Sequence, residues 1–577
     1  MQITCGVKLT QSGGVALFED DRLVFNVEAQ KLGNGRRYSD VDDLGLIDQI
    51  LGDFGYKVGD IGQWALDGWD GKVNGHAERA NGGSPVDVLL APYRETAEVP
   101  DPAVPGHRGV LPIGTEAVPY VSYVHVASHL AAAYSTSPFA RRGEPTFALV
   151  WDGGCFPRLY FVDADGRIEP GGEVFPLIGH FYSMASQHFG PYRRTDKSRN
   201  VDDLSVAGKL MAYIAKGTPR QPVKDVLREL FHEHFEADSP AVRKYREEIT
   251  GCGSTGESSH GYVHAYLSDV RRHTDKLGVS DDDVLASVHD FIEEMLVERL
   301  VAKARAWKGD GPWNLCFAGG CALNIKWNSA MRANPFFAEM WVPPFPDDSG
   351  SAIGTGAILA ADGDGRLGPI DWNVFSGPQL IHNSHVPAGW LVSPCRPEEL
   401  ARLLHRTGRP VVFLHGRAEL GPRALGARSI LAPAVDPGMK DELNRMKQRE
   451  DFRPVAPICL TDKAPALFDP GTPDPYMLFD HDVRPEWRDR IPAVMHLDGT
   501  ARLQTVNAQD NPVLAAVLTE YYKWSGIPVL CNTSANLHGR SFFPDAASAI
   551  EWGQADFVWS DGVLHRRMTS ANGDSER

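Results

Sequence analysis

The sequence has no surplus of positive charge and no long apolar run, and each absence excludes a class of protein. Its 577 residues include 58 lysines and arginines against 75 aspartates and glutamates, which gives a formal net charge of −17. This balance disfavours nucleic acid or an anionic membrane as a partner, because either would need an exposed basic face. No segment approaches membrane-spanning length, and the first residues lack the basic and apolar regions of a leader peptide.

Paired cysteine motifs are also missing. The eight cysteines lie far apart, mostly within apolar runs, and no two of them form a CxxC pair. We therefore expect reduced cysteines that behave as small buried hydrophobic residues in a cytoplasmic protein. The chain is too long for a single core, and its length predicts roughly two to four domains.

One stretch, residues 415–457, concentrates cations in this acidic chain. It reads HGRAELGPRALGARSILAPAVDPGMKDELNRMKQREDFRPVAP and is rich in arginine. Fixed guanidinium forks suit a compact, multiply charged oxyanion. The alternative is a salt-bridged surface formed with the neighbouring acidic residues. Apolar residues between the charges favour a half-buried pocket, so the stretch predicts a phosphate-sized anion site.

Within this stretch, GRAELGPRALGARSIL followed by LNRMKQREDFRPVAP resembles the signature of the antibiotic and nodulation-factor O-carbamoyltransferases. The resemblance continues in HLDGTARLQTV (496–506) and PVLCNTSANLHG (528–539). It implies an enzyme that forms carbamoyl-adenylate from carbamoyl phosphate and ATP, with Mg²⁺ on the ATP phosphates. The carbamoyl group would then pass to a hydroxyl of a small-molecule acceptor. The residues implied to bind carbamoyl phosphate and ATP are Arg423, Arg428, Lys447, Arg453, Arg502, Asn532 and Ser534.

Two glycine-bearing β-turns organise the first part of the chain. Residues 2–7, 14–19 and 22–28 are predicted strands, and a similar pattern recurs from residue 146. A strand and turn pattern that recurs after an intervening helical segment is typical of the duplicated α/β domain of actin-like nucleotide binders. The proline-rich residues 97–118 are predicted to form a loop. The expected fold is α/β, with an actin-like carbamoyl-transfer domain over 1–370 and, by the resemblance, a YrdC-like adenylate-forming domain over 371–577.

His125 and His129 lie four residues apart in an alanine-rich segment that predicts a helix. This spacing puts both imidazoles on one helix face, where they can occupy adjacent positions on one divalent metal ion, although a plain polar helix face is the alternative. Asp152 follows the next predicted strand. The resemblance implies that these three residues and Asp348 hold a metal, Fe²⁺ or another divalent transition metal, with Asp347 as a rival for the last position.

Glycine-rich turns predict a nucleotide site in the same domain. Gly319 and Gly320 lie between a predicted strand and a helix, an arrangement that aims backbone N–H groups at a phosphate. A second glycine loop, formed by Gly350, Gly354 and Gly356, is expected to open another helix. By the resemblance, the nucleotide-binding residues are Gly208, Lys209, Gly319, Gly320, Asn324 and Gly350, although Lys209 also fits a solvated helix position.

The first β-turn departs from the family pattern. Members of this family carry a histidine there that can act as a base toward the acceptor hydroxyl, whereas this sequence has Gln11. Glutamine cannot take a proton at neutral pH. Gln11 is therefore a candidate catalytic-site residue that is not a base. Two other functions stay open, a tRNA threonylcarbamoyl-type modification enzyme and an actin-like ATPase.

Overall fold

The computed structural model describes residues 1–33, 35–69, 75–195, 204–252, 257–360, 365–382 and 388–568. The chain divides into two compact units. The first unit comprises Met1–Asn26 and Asp40–Trp372, and the second comprises Val27–Ser39 and Asn373–Arg577. A short N-terminal segment therefore packs with the C-terminal part of the chain.

The first unit contains two main sheets and a separate hairpin. Its strands are β1 (Ile3–Lys8), β2 (Gly14–Glu19), β3 (Arg22–Glu28), β4 (Gln63–Asp67), β5 (Gly75–Asn81), β6 (Ser84–Leu90), β7 (His107–Ile113), β8 (Glu116–Tyr123), β9 (Thr146–Val150), β10 (Arg158–Val162), β11 (Ile168–Glu173), β12 (Trp313–Ala318) and β13 (Phe337–Trp341). The unit boundary falls within β3. β5 and β6 form the hairpin.

The two main sheets repeat one topology. The first has the order β3-β2-β1-β4-β8-β7 and the second has the order β11-β10-β9-β12-β13. In the first, β1 is antiparallel to β2 and parallel to β4, which is in turn parallel to β8. In the second, β9 is antiparallel to β10 and parallel to β12, which is parallel to β13. The mixed α/β class is confirmed, and the strand pattern is duplicated within this unit.

The helices of the first unit are α1 (Gly45–Asp53), α2 (His125–Ser135), α3 (Pro138–Arg142), α4 (Phe181–His188), α5 (Val206–Tyr213), α6 (Gln221–Phe231), α7 (Pro240–Cys252), α8 (Glu257–Leu277), α9 (Asp281–Lys308), α10 (Ile325–Ala333) and α11 (Ser351–Ala360). Gly354 and Gly356 lie inside α11, so they do not form the predicted loop. A Cβ at Gly354 would lie 1.8 Å from the Ser128 carbonyl oxygen of α2, and one at Gly356 would lie 2.4 Å from the Phe18 ring. These glycines allow α11 to pack closely against its neighbours.

The loop predicted for residues 97–118 is wrong over its second half, where β7 and the start of β8 form an antiparallel ladder from His107–Ser122 to Ile113–Glu116. Proline suggested a loop because it cannot donate a ladder hydrogen bond. β7 is an edge strand of the first sheet, and Pro112 is tolerated there because one side of an edge strand has no ladder partner.

The second unit is built on an eight-stranded sheet with the order β14-β24-β23-β15-β16-β22-β17-β21. Its strands are β14 (Trp390–Pro394), β15 (Val411–Leu414), β16 (Arg428–Pro433), β17 (Ala456–Leu460), β18 (Phe468–Asp469), β19 (His481–Val483), β20 (Thr500–Ala501), β21 (Gln504–Val506), β22 (Val529–Ser534), β23 (Phe557–Ser560) and β24 (Val563–Arg567). β18, β19 and β20 form a small second sheet.

The helices of this unit are α12 (Pro397–Thr407), α13 (Met439–Met446), α14 (Ala464–Leu467), α15 (Pro512–Ser525) and α16 (Ala546–Trp552). Its core includes fully buried Leu404, Phe413, Ile430, Leu518 and Leu530. Among the described residues of both units, no helix combines the length and the apolar character that crossing a membrane would require.

Candidate functional site

The predicted metal ligands come together in the first unit. His125 and His129 lie on the buried α2, Asp152 follows β9, and Asp348 precedes α11. Each residue offers one ligand atom, and these atoms all lie within 4.8 Å of one another. Two imidazole nitrogens and two carboxylate oxygens form a donor set suited to a borderline divalent transition metal. The four side chains thus form a possible metal-binding cluster.

The ligand atoms of the two histidines and Asp348 lie close together. Nε2 of His125 lies 3.1 Å from Nε2 of His129 and 3.4 Å from Oδ1 of Asp348. Nε2 of His129 lies 3.5 Å from the same Asp348 oxygen. Asp347 was the rival for this position, but its Oδ1 caps the following turn by accepting from the Ser349 N–H at 3.3 Å. The geometry therefore favours Asp348.

Two buried residues that sequence reasoning missed support this cluster. Oδ2 of Asp67 lies 2.8 Å from Nδ1 of His125 and 2.7 Å from Nζ of Lys8. Lys8 and Asp67 end the parallel neighbours β1 and β4, and the carboxyl ends of parallel strands meet at one edge of a sheet. A charged residue at the end of an apolar strand is the sequence signal that could have identified them.

Electrostatics keeps the Asp348 carboxylate ionised. Burial by itself would raise the pKa of Asp348, but the charges of Lys8 and His125 outweigh it and hold the pKa well below its usual range. Nζ of Lys8 lies 3.5 Å from Oδ2 of Asp348. Burial would also raise the pKa of Asp152, whereas the two nearby imidazoles lower it, and the net pKa is depressed. Both carboxylates are thus in the form that binds a cation.

Hydrogen bonds fix the orientation of Asp152. The Gly320 N–H donates to Oδ1 at 2.7 Å, and the Tyr93 hydroxyl donates to Oδ2. The Gly319 N–H donates to the Pro346 carbonyl at 2.7 Å. Both glycine N–H groups that the sequence assigned to a phosphate are therefore bonded within the protein, and that of Gly320 holds a cluster carboxylate.

The remaining predicted nucleotide residues lie on different elements of the first unit. Asn324 caps α10 by accepting from the Lys326 N–H at 3.2 Å. Gly208 is exposed on α5 and a Cβ there would contact nothing, while Nζ of the adjacent Lys209 lies 5.6 Å from the Tyr192 ring centre. Gly350 lies against Phe345, whose carbonyl oxygen would be 2.3 Å from an added Cβ. A nucleotide contact at these positions stays a prediction.

Gln11 lies in the short connection between β1 and β2, at the Lys8 end of β1, and it is half-buried. The connection is held in place at Leu9, whose carbonyl accepts from the Val41 N–H and from Arg79 Nη2, each at 2.9 Å. The following Ser12 has a φ of 57°, in the left-handed region that non-glycine residues rarely adopt. Gln11 therefore lies in a turn whose backbone is fixed by hydrogen bonds at Leu9.

The second unit holds a cluster of cations that we call the cation pocket. Its members are Arg37, Arg423, Lys447, Arg449, Arg453 and Arg502. Burial holds the pKa of the Lys447 ammonium well below its usual value, and the charges of Arg37, Arg449 and Arg453 lower it further. Burial also lowers the pKa of Arg449, to about 9. Like charges this close favour a bound anion.

Arg502 is a member of the cation pocket, and Asp474 offsets only part of the repulsion on its guanidinium. Arg502 lies between β20 and β21. Burial, followed by repulsion from Arg423, Arg453 and Arg449, holds the pKa of Arg502 well below its usual value. Its Nε is buried with no hydrogen-bond partner in the described part of the chain. A buried guanidinium without a partner is costly unless a ligand satisfies it.

Lys447 is attached to the end of β22. Its Nζ donates to the backbone carbonyl of Ser534 and to Oδ1 of Asn536, and it lies 3.1 Å from Oγ of Ser534. Ser534 was predicted from sequence, whereas Asn536 was missed. The ammonium, the hydroxyl and the Asn536 amide oxygen therefore form one hydrogen-bonded cluster at the end of β22.

Two predicted anion ligands have structural contacts instead. The buried Arg428 guanidinium donates to the carbonyls of His415, Ala427 and Gly416, each at 3.0 Å. Asn532 donates to the Ala424 carbonyl at 3.0 Å. Asn532 also donates to Oε1 of Gln504 at 2.6 Å. The geometry favours a role for both residues in shaping the loop that carries Arg423, because their donors are bonded within the protein.

Comparison with known proteins identifies the family of this chain. Residues 3–99 and 113–358 match the family model Carbamoyltransferase N-terminus, and residues 401–564 match Carbamoyltransferase C-terminus. Nodulation protein U of Rhizobium tropici is 50% identical over 563 residues, which cover 97% of this chain and 95% of that protein. The 3'-hydroxymethylcephem-O-carbamoyltransferase of Streptomyces clavuligerus is 32% identical over 574 residues, which cover 97% of this chain and 98% of that protein.

A solved structure of a ROK family glucokinase from Streptomyces griseus, in complex with glucose and AMPPNP, also matches, at 11% identity and a TM-score of 0.25. The match covers 61% of this chain and 98% of the glucokinase chain. At this low similarity, nothing about the protein is concluded from the match. The two family models and the long alignments are decisive by contrast. The chain therefore belongs to the carbamoyltransferase family of transferase enzymes.

Proposed function

We propose that this protein is an ATP-dependent O-carbamoyltransferase that works in two half-reactions. In the second unit, carbamoyl phosphate and water give carbamate and phosphate. A carbamate oxygen then attacks the α-phosphorus of ATP, which forms carbamoyl-adenylate and releases pyrophosphate. In the first unit, a hydroxyl of a small-molecule acceptor attacks the carbamoyl carbon, which gives an O-carbamate and AMP.

The observation that carries the first half-reaction is the buried Nε of Arg502, which has no hydrogen-bond partner in the described part of the chain. Phosphate groups of carbamoyl phosphate and ATP would compensate the repelling guanidinium groups, and bidentate arginine contacts suit them. We assign phosphate binding to Arg423, Lys447, Arg453, Arg502 and Ser534. Mg²⁺ would accompany ATP, because a metal ion bridges the phosphate oxygens and neutralises the charge that develops on them. We infer a YrdC-like role for this unit.

In the first unit, His125, His129, Asp152 and Asp348 would hold the metal ion. Their donor set fits Fe²⁺ or another divalent transition metal, and Asp67 favours the His125 tautomer with a free Nε2 lone pair. Such an ion would supply Lewis acidity toward the carbamoyl carbonyl. The repeated sheet topology supports an actin-like nucleotide-binding domain. In it, Gly208 and Lys209 on α5, Asn324 at the start of α10 and Gly350 before α11 would lie near the AMP portion.

The acceptor half-reaction lacks a histidine in the first β-turn. Gln11 can donate or accept a hydrogen bond but cannot take a proton at neutral pH. We therefore assign Gln11 to positioning of the acceptor hydroxyl. The name of the cephem carbamoyltransferase relative supports a small-molecule hydroxyl as acceptor.

Exchange of labelled pyrophosphate into ATP tests the first half-reaction without an acceptor. We expect exchange that depends on carbamoyl phosphate and proceeds without tRNA. A tRNA threonylcarbamoyl-type enzyme would instead require threonine, and an actin-like ATPase would hydrolyse ATP without carbamoyl phosphate. Absence of carbamoyl-phosphate-dependent exchange in the metal-loaded protein with Mg²⁺ would contradict the proposed adenylate route.

A further inference from the structure

The segment comprising residues 27–33 and 35–39 lies far from the cation pocket in sequence but packs with the second unit. Nζ of Lys31 donates to the Glu419 carbonyl at 2.5 Å and to the Gly421 carbonyl at 2.8 Å. Glu28 accepts from the Gly421 N–H at 2.9 Å. One part of this N-terminal segment therefore holds the loop that carries Arg423.

The other part of the N-terminal segment lies along the turn after β22. The Arg37 N–H donates to the Gly539 carbonyl at 3.4 Å, and the Ser541 N–H donates to the Gly35 carbonyl at 3.0 Å. Asn536 holds this turn by donating to the Arg540 carbonyl at 2.7 Å. Because Asn536 also contacts Lys447, the backbone at Arg37 is joined to the cation pocket through this one turn.

The conformation at Arg37 is held by a specific network. The following Tyr38 has a φ of 62°, and its N–H donates to Oε1 of Gln30 at 3.0 Å. Nε2 of Gln30 donates to Oε2 of Glu28 at 2.7 Å. A left-handed non-glycine residue persists only where its surroundings determine it, and such residues cluster at ligand sites.

The Arg37 side chain itself is half-buried and makes no hydrogen bond or ion pair with the rest of the described chain. Its charge nevertheless contributes to the depressed pKa of Lys447, so the guanidinium lies within electrostatic reach of that ammonium. Cations held together without acidic partners are stabilised when an anion binds between them.

We propose that Arg37 is a phosphate-binding residue of the cation pocket and that the N-terminal segment completes this site. The inference rests on the proposed function, in which the pocket binds carbamoyl phosphate and ATP. Arg37 binds a phosphate group of one of these two substrates beside Lys447 and Ser534. The match to the carbamoyltransferase C-terminus family model begins at residue 401, so Arg37 lies outside that part of the family pattern.

The test uses the full chain with Arg37→Ala, Arg37→Gln and the neighbouring Arg36→Ala as a matched control. Arg36 is exposed and its backbone pairs with Arg540. Pyrophosphate exchange is measured while carbamoyl phosphate and ATP are varied separately. We expect both Arg37 variants to raise the KM of one substrate by roughly tenfold or more, since a charge-assisted contact is lost, with kcat little changed. Arg36→Ala should match the wild type.

The substrate whose KM rises identifies the phosphate that Arg37 binds. If the wild type shows normal exchange and Arg37→Gln has unchanged KM values for both substrates, the inference about Arg37 is refuted and the proposed function stands. If the wild type shows no exchange, the proposed function fails, and calorimetry with inorganic pyrophosphate then decides the question for Arg37. Weaker pyrophosphate binding by Arg37→Gln than by Arg36→Ala would support the site, and equal binding would refute it.

Discussion

Nδ1 of His125 lies 2.8 Å from Oδ2 of Asp67, and both side chains are fully buried. An ionised carboxylate can only accept, so Nδ1 carries a proton, and in the neutral imidazole Nε2 is then the atom with the lone pair. That lone pair lies on the side of the ring that faces His129 and Asp348. Asp67 therefore selects the imidazole tautomer that a metal ligand requires.

We predict that Asp67→Ala weakens metal binding without removing a ligand. Loss of an outer-sphere carboxylate typically lowers metal affinity by about 10–100-fold. The affinity is measured by competition with a chromophoric chelator. Asp53→Asn is the matched control, because Asp53 is exposed at the end of α1. Equal affinity in Asp67→Ala and wild type would refute the tautomer argument.

The second prediction separates the half-reactions. His129→Ala should abolish tight metal binding and transfer to a hydroxyl acceptor, because it removes one nitrogen from the buried cluster. Carbamoyl-phosphate-dependent pyrophosphate exchange should persist, since the cation pocket belongs to the second unit. Metal content by mass spectrometry and exchange rates are measured on the same preparation. A variant that retains stoichiometric metal would remove His129 from the ligand set.

Three of the four cluster residues follow local sequence patterns, whereas Asp348 was assigned by the family resemblance. His125 and His129 share one helical turn, and Asp152 directly follows a strand. The supporting contacts are not local. Lys8 and Asp67 are 59 residues apart and meet only because β1 and β4 are parallel neighbours. The charge at the end of each apolar strand marks Lys8 and Asp67 as candidates, but a single sequence carries no signal that these two strands are neighbours.

The same limit explains what was missed in the second unit. Glu28 contacts Gly421 across 393 residues, so no local pattern connects the N-terminal segment with the arginine-rich loop. Arg428 was predicted to bind an anion because its motif is rich in glycine and arginine. The structure shows three backbone carbonyls around its guanidinium instead. Residue type alone does not distinguish a ligand-binding arginine from one that holds a loop.

Arg502 should show opposite effects on stability and activity. Replacement by Met removes a buried, repelled guanidinium and keeps an apolar side chain of similar length. We expect the free energy of unfolding to rise by roughly 0.5–2 kcal/mol, as for relief of a strained functional site. Pyrophosphate exchange should be lost, because a phosphate ligand is removed. Urea unfolding and exchange rates measure the two effects.

The control for Arg502→Met is Arg406→Met, because Arg406 is exposed near the end of α12. It should change neither property appreciably. Destabilisation by Arg502→Met would mean that the guanidinium stabilises the fold, and retained exchange would mean that it binds no substrate phosphate.

The last prediction concerns Gln11. If Gln11 positions the acceptor hydroxyl, Gln11→Ala should raise the acceptor KM with only a modest change in kcat, because uniform binding is lost. Loss of a general base would instead lower the rate by roughly 10²–10⁴-fold. Steady-state transfer is measured with any hydroxyl acceptor that the wild type carbamoylates. Gln2→Ala, at the opposite end of β1, serves as the control.

Gln11→His tests the same position by introducing a base. A histidine here restores the residue type that can accept a proton, and the unperturbed imidazole pKa is about 6.5. If the first β-turn contacts the acceptor, this variant should gain transfer rate as pH rises through that pKa, because the neutral imidazole is the base. The wild type should lack this pH dependence. A large fall in kcat for Gln11→Ala at unchanged acceptor KM would show that Gln11 acts in the chemical step, which the positioning role does not allow.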